Sequence, residues 1–353
     1  MSDLVLDNLV FDLQPHGGIT SIWEAILRGV AAAGDLDVTF LQASRHEARI
    51  AALVGPGPHT LDDTGSTLLR RFRKPRLPAG TKLFHSSYFR VAADPDVRNF
   101  VTVHDCVAEK FDRGPRRLLH LAQKEIALRN AHTVICVSDS TRRDLLELYH
   151  WLAPERVTTV HNGIDLDYFT PYDTERGKAL LYVGARGIHK NFGLALDLIA
   201  GPVASGMGLS LDVLGGGAPT TAERERIARL GIANRVRFLG PQDLDGVRAA
   251  YRRVFALVYP SFYEGFGIPP LEAMACGCPV LCSDRSSLPE VVGDAAELFD
   301  PSRLDAAEDA LGKVGEEHTR NRLVEAGFAR AAQFSSKIMV ENTIALYREV
   351  LDS

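Results

Sequence analysis

A chain of 353 residues exceeds what one hydrophobic core ordinarily organises, so two domains are the starting expectation. Hydrophobic residues at 46% and charged residues at 24% suit a soluble globular protein, and a net charge of -5 leaves no basic footprint for nucleic acid. Five cysteines argue against a disulfide framework; with no apolar run of membrane-span length and an acidic start (MSDLVLDNL) unlike a signal peptide, the expectation is a cytoplasmic protein with at most peripheral membrane contact.

In chain order, Leu4 to Leu9 reads as a buried strand and Ile19 to Ala33 as a helix, with Ile22, Trp23, Ile26, Leu27 and Val30 on its apolar face. Between them lies Gln14-Pro15-His16-Gly17-Gly18. A glycine pair ahead of a helix lets backbone approach a phosphate, and serves equally as a plain turn. The dinucleotide fingerprint G-x-G-x-x-G is absent there. Asp37 to Gln42 is a second strand, followed by a polar, poorly periodic stretch to about Gly80. That stretch contains Arg70, Arg71, Arg73, Lys74 and Arg76 interleaved with Leu69, Phe72 and Leu77. Such a run reads as a solvated loop, or as a peripheral membrane contact over Arg70 to Arg76.

Lys82 to His85 and Phe100 to Val103 are the next strands, and the second runs directly into His104-Asp105. Ligands of open α/β sheets gather at the carboxyl ends of strands, so His104 is placed for a substrate. His85 sits analogously and reads equally well as a structural histidine. Arg116 to Asn130 patterns as an amphipathic helix and Thr133 to Val137 as a strand. Ser138 to Thr141 supplies capping groups for the next helix, with Asp144 three residues beyond Thr141 as a capping-box partner. Val157 to Val160 closes the first half before His161-Asn162-Gly163-Ile164-Asp165.

The second half opens with the apolar run Ala179 to Val183 ending at Gly184. Arg186 and Lys190 lie across the turn that leads into a helix over Phe192 to Ala200, a spacing at which both can meet a diphosphate. Leu209 to Leu214 is a strand capped by Gly215-Gly216-Gly217, and Arg235 to Gly240 is another, carrying Phe238. Phe255 to Tyr259 precedes the loop Glu264-Gly265-Phe266-Gly267-Ile268-Pro269-Pro270. Prolines suit a first helical turn, so Leu271 to Cys276 starts a helix, and Val280 to Cys282 begins the next strand. Glu264 and Glu272 frame this unit with seven residues between them, and an ionised carboxylate there accepts hydrogen bonds from sugar or ribose hydroxyls. Helices over Asp305 to Leu311, Thr319 to Phe334 and Ile338 to Leu351 complete the chain.

The stretch from Glu264 to Ala275, E-G-F-G-I-P-P-L-E-A-M-A, resembles the signature of the retaining nucleotide-sugar glycosyltransferases of glycosyltransferase family 4. The resemblance implies a GT-B fold: two Rossmann-like parallel-sheet domains facing a cleft, with a C-terminal helix crossing back. Residues 1-170, completed by 338-353, would form the N-terminal acceptor-side domain, and 171-337 the nucleotide-sugar-binding domain. It further implies that Glu272 binds ribose and that Glu264 holds the donor sugar with the backbone of Gly265, Phe266, Gly267 and Ile268. Lys190 and Arg186 would take the phosphates, although Arg186 stands one position late for the family's arginine. Gly17, Gly18, Gly184, Gly215 and Phe238 would line the donor, and His104, within Thr102-Val103-His104-Asp105, would reach the reacting sugar.

Four Asp-x-Asp triplets occur (Asp35/Asp37, Asp94/Asp96, Asp165/Asp167 and Asp243/Asp245), as chance gives an Asp-rich chain, and Cys276-x-Cys278 with Cys282 departs from zinc spacing. The expectation is therefore no cofactor and no metal. The partners implied are a nucleotide-sugar donor and a glycan or lipid-linked acceptor in surface polysaccharide biosynthesis. Mannose from GDP-mannose is the favoured donor. The alternatives are another GT-B activity, such as a sugar-nucleotide epimerase or phosphorylase, and a catalytically dead nucleotide-sugar-binding protein.

Overall fold

The computed structural model describes residues 3–55, 59–172 and 175–352. They fall into two compact units, one formed by Met1–Gly163 with Ser336–Ser353 and the other by Ile164–Ser335. Each unit is built on its own parallel sheet.

The first sheet comprises β1 (Leu4–Asp7), β2 (Val38–Gln42), β3 (His59–Asp62), β4 (Leu83–Ser86), β5 (Arg98–Val103), β6 (Ala131–Cys136) and β7 (Val157–Thr159). Its spatial order is β3-β2-β1-β4-β5-β6-β7, parallel throughout. The chain steps outward from β1 to β3, then returns to the other side of β1 with β4, so the topological switch point lies between β1 and β4. All four residues of β1 are buried, as expected when helices cover both faces of a parallel sheet. The polar stretch to Gly80 is more ordered than its pattern suggests. It supplies the edge strand β3 and helices Glu47–Val54 and Thr67–Phe72. Four residues, His-Thr-Leu-Asp, are too short a run for alternation to reveal a strand.

The last helix, Ser336–Leu351, belongs to this unit. It buries Met339, Ile344 and Tyr347, and the Tyr347 hydroxyl lies 2.5 Å from His85 Nδ1. Arg348 forks onto Asp35 at 2.9 and 3.0 Å, beyond the C-terminal end of helix Gly18–Ala33.

The second sheet comprises β8 (Ala179–Val183), β9 (Ser210–Leu214), β10 (Val236–Phe238), β11 (Ala256–Tyr259), β12 (Val280–Ser283) and β13 (Glu297–Phe299). Its order is β10-β9-β8-β11-β12-β13, again parallel. The switch point here lies between β8 and β11. Leu180, Tyr182, Leu211, Val213, Val258 and Leu281 from four strands pack with helix Phe192–Ala200 into one core. Helix Ile268–Ala275 starts one turn before the expected Leu271, with Pro269 and Pro270 in its first turn, where their missing N–H groups cost nothing.

Candidate functional site

In an open parallel sheet, the loops leaving the two strands at the switch point diverge and leave a crevice at their carboxyl ends. In the second unit those loops follow β8 and β11, and they carry the residues singled out by the sequence. Lys190, after β8, places Nζ 2.7 and 2.8 Å from the two Glu264 carboxylate oxygens and 3.0 Å from the Tyr259 hydroxyl at the end of β11. The two loops are also tied by their backbones, Phe262 N–H donating to His189 O at 2.7 Å. A third loop, leaving β12, completes the cradle. Ser286 accepts from Glu264 N–H at 2.9 Å, and the buried Ser287 hydroxyl donates to Glu264 O (2.9 Å) and Phe266 O (2.6 Å).

Gly267 caps helix Ile268–Ala275 with φ at 126°, a conformation that penalises any residue with a Cβ. Glu272 follows one turn into that helix. Its carboxylate accepts from the Tyr251 hydroxyl at 2.9 Å, and burial raises its pKa to about 7 with Tyr251 pulling the other way. Tyr251 is itself fully buried on helix Leu244–Arg253.

The loop after β9 closes the other side. Gly215 has φ at 96°, and a Cβ there would stand 2.9 Å from Gly184 O, so the loops after β8 and β9 touch backbone to backbone. Arg186 is spent on this contact. Its guanidinium bonds Glu223 Oε1 (2.6 Å), Gly215 O (2.7 Å) and Ala218 O (2.8 Å), and lies 5.2 Å from the Phe238 ring. Arg186, expected to offer its fork to a diphosphate, is here bound to Glu223 and the loop after β9. Arg186 clamps the glycine triplet, and Lys190 is the cation that faces the Glu264 loop.

In the first unit, Gly17 caps helix Gly18–Ala33 with φ at 132°, after β1. His104 follows β5, half-buried, and burial pushes its pKa down to about 4, with Asp105 opposing and Lys124 assisting. His85 is structural. Fully buried, it is bracketed by Tyr347 and by the Thr102 hydroxyl, 2.9 Å from Nε2, and burial lowers its pKa to about 3.

The basic run requires a correction. Arg70 is fully buried, paired with Asp12 and with Asp63 (2.8 Å), and Arg73 also pairs with Asp63. Arg71 donates to Tyr88 and to Gln123, both at 3.0 Å. These arginines fold the Thr67–Phe72 helix onto the carboxyl end of the sheet, where Arg90 bridges Asp7 and Asp63 at 2.9 Å each. Arg70 is thus withdrawn from the basic face expected of a membrane contact over Arg70 to Arg76, while Arg73, Lys74 and Arg76 stay exposed. The capping box is also corrected: Ser138 caps helix Asp139–Leu148 by accepting from Thr141 N–H, while Asp144 pairs with Lys110.

Comparison with known proteins follows the same division. The family model described as Glycosyltransferase Family 4 matches residues 17–168, and that described as Glycosyl transferases group 1 matches residues 171–330. The chain belongs to the GT-B glycosyltransferases. Among this family's curated members, O-antigen chain mannosyltransferase B of Escherichia coli is 34% identical over 241 residues, covering 63% of this chain and 62% of that protein. The D-inositol 3-phosphate glycosyltransferase of Mycobacteroides abscessus is 31% identical over 220 residues, covering 56% of this chain and 46% of that one. The chain thus matches less than two thirds of the length of either relative. Two solved GT-B structures show the fold along the whole chain. Sucrose-phosphate synthase from Thermosynechococcus elongatus superposes with a TM-score of 0.75 at 20% identity, covering 100% of both chains. Anabaena HepE in complex with UDP gives 0.74 at 15%, covering 99% of this chain and 100% of its own.

Within this glycosyltransferase the sequence did not single out Tyr251, Tyr259, Ser286 or Ser287. Tyr259 ends a predicted strand, and Ser286-Ser287 follow Cys282-Ser283-Asp284-Arg285 with no pattern that distinguishes a loop serine from a loop-holding one. The positive φ of Ser286, 51°, is invisible in the sequence. The five cysteines are buried, and burial pushes the Cys278 thiol up to about 12.

Proposed function

We propose that this chain is a retaining hexosyltransferase that moves a sugar from a nucleoside-diphosphate donor to a glycan or lipid-linked saccharide, in surface polysaccharide biosynthesis, from the cytoplasm. The observation that carries the reading is the Lys190–Glu264 pair at the switch point of the second unit, beside Glu272 at a helix start. The likeness to an O-antigen chain mannosyltransferase supports mannose, and so GDP-mannose, as the donor to test first.

Glycosyl transfer breaks the C1–O bond while negative charge builds on the leaving phosphate, through an oxocarbenium-like transition state. The chain's part is positioning and electrostatic stabilisation. Glu272 accepts the ribose hydroxyls. Lys190, already held by Glu264 and Tyr259, exchanges one of these bonds for a phosphate oxygen. The Gly267 and Ile268 N–H groups, ahead of the two prolines, add donors without needing a metal. Glu264 and the Phe266-Gly267 backbone hold the sugar, and His104 keeps its expected role toward the reacting sugar. Retention then follows from attack on the face the phosphate leaves, that phosphate accepting the acceptor proton.

The test is a thermal-shift panel of GDP, UDP, ADP and dTDP and their sugar conjugates, with and without EDTA. Ligand at a hundred times Kd adds about 2.7 kcal/mol, a clear rise in melting temperature. One diphosphate should act selectively, with or without chelator, and lose its effect in Glu272→Ala. A panel with no shift overturns the reading.

A further inference from the structure

Helix Pro115–Asn130 carries two polar side chains on its buried face. It buries Gln123 and Lys124 beside Ala127 and Leu128, while Leu118, Leu119 and Ile126 stand 63%, 46% and 56% exposed. Burying an amide and an ammonium costs free energy unless both are bonded, so these two side chains must make contacts that a leucine could not. Each buried polar side chain holds backbone. Gln123 donates to Arg71 O at 2.9 Å, and Lys124 donates to Asp105 O at 2.9 Å. Lys124 also pairs with Glu109 Oε1 at 2.6 Å, an oxygen to which the Tyr149 hydroxyl donates at 2.9 Å.

Asp105 is the residue after His104, and Glu109 lies in the short helix Val107–Lys110 that follows. Asp105 in turn accepts Val107 N–H at 2.9 Å through its side chain. One ammonium therefore joins the carbonyl beside His104 to the carboxylate four residues on, and the segment between them is pinned at both ends. A buried ion pair contributes little net stability over a well-packed apolar pair of the same volume. Its effect here is geometric.

We propose that Lys124, together with Glu109, is a positioning residue for His104, fixing the turn that presents the His104 ring to the transferred sugar. This rests on the role given to His104 above. Lys124 touches no reacting atom; it acts by holding the backbone on which His104 stands.

The test is a cycle of variants in the full chain, using the donor identified by the thermal-shift panel. Lys124→Met with Glu109→Gln removes both charges together, so neither is stranded, and leaves an acceptor for Tyr149. The paired variant should melt cooperatively and keep the donor KM, with kcat down about 100-fold, the scale of an ångström-sized misplacement. In a His104→Ala background the same pair should cost nothing more, because the group it positions is gone. A merely structural role would persist undiminished in that background and would move melting temperature and donor KM together with kcat. Should the pair not fold, Tyr149→Phe loosens Glu109 from its far side and must reproduce the kcat-only loss at several-fold size. Unchanged kcat in a folded paired variant, or an equal loss on top of His104→Ala, overturns the inference. Full turnover in His104→Ala alone removes the His104 reading and the inference with it. Loss in His104→Ala without loss in the paired variant removes the inference only.

Discussion

At Glu272 the fold and the ligand make opposite demands. Burial raises the carboxyl to about 7, so near neutrality it holds a proton part of the time, yet accepting two ribose hydroxyls requires the ionised form. Lowering the pH through about 7 should therefore weaken nucleoside-diphosphate binding by about tenfold per unit once the group is protonated. The nucleotide's own phosphate titrates too, so the comparison is with Glu272→Gln, which keeps that contribution and lacks the other. Calorimetric Kd values for both proteins across the range check it, and parallel profiles would remove Glu272 from the ribose. Stability runs the other way. A carboxyl whose folded pKa lies above its ordinary 4.5 stabilises the fold below 4.5 and loses that contribution as pH rises through about 7. Wild type should melt progressively lower than Glu272→Gln across that window, as scanning calorimetry would show.

At the scale of elements, the cradle depends on how closely the loops after β8, β9 and β11 approach one another. Gly215 is the tightest point, with its positive φ and a would-be Cβ 2.9 Å from the Gly184 carbonyl. Gly215→Ala should cost about 1–3 kcal/mol in strain. Because that backbone has no flexible side chain to yield, the loop after β8 should be displaced and donor Kd should rise as well. Gly217→Ala, also at positive φ but with open space around it, should show the strain without the loss of binding. Urea unfolding and nucleotide titration of the two variants separate strain from displacement, and equal binding losses would refute the close approach. Much of this cradle was legible in the sequence, because the Glu264 to Ala275 stretch fixes its own register and glycines mark where backbone must come close. The roles of its cations were not. Arg186 and Lys190 look alike as charges across a turn, and only the structure shows one bound to the carbonyls of Gly215 and Ala218 and the other to Glu264. Arg70 is the same case. A charge run reads as surface until Asp12, remote in sequence, and the nearer Asp63 prove to bury one of its arginines. The helix over Arg116 to Asn130 was legible, but the burial of Gln123 and Lys124 on it was not, because the carbonyls they bond lie on other segments.

At the scale of the molecule, the chain builds its first unit from two separated stretches, and the last of them is the helix Ser336–Leu351. The second unit, by contrast, is continuous from Ile164 to Ser335 and carries its own sheet and core. A chain ending at Ser335 should therefore damage one unit selectively. It would lose Tyr347, a fully buried side chain whose hydroxyl bonds His85, together with the buried Met339 and Ile344. Large apolar side chains deleted from a core cost about 2–5 kcal/mol each, so removing several at once should exceed the stability of the unit that held them. The continuous unit loses none of its core. Limited proteolysis of the truncated protein should then cut throughout 3–163 while a fragment near 164–335 survives, and that fragment should still bind the diphosphate selected by the full chain. Ligand should protect it further, since binding adds stability only to the unit that holds the nucleotide. Uniform digestion of both regions, or loss of nucleotide binding from a fragment that remains folded, would show that the donor site depends on more than the second unit.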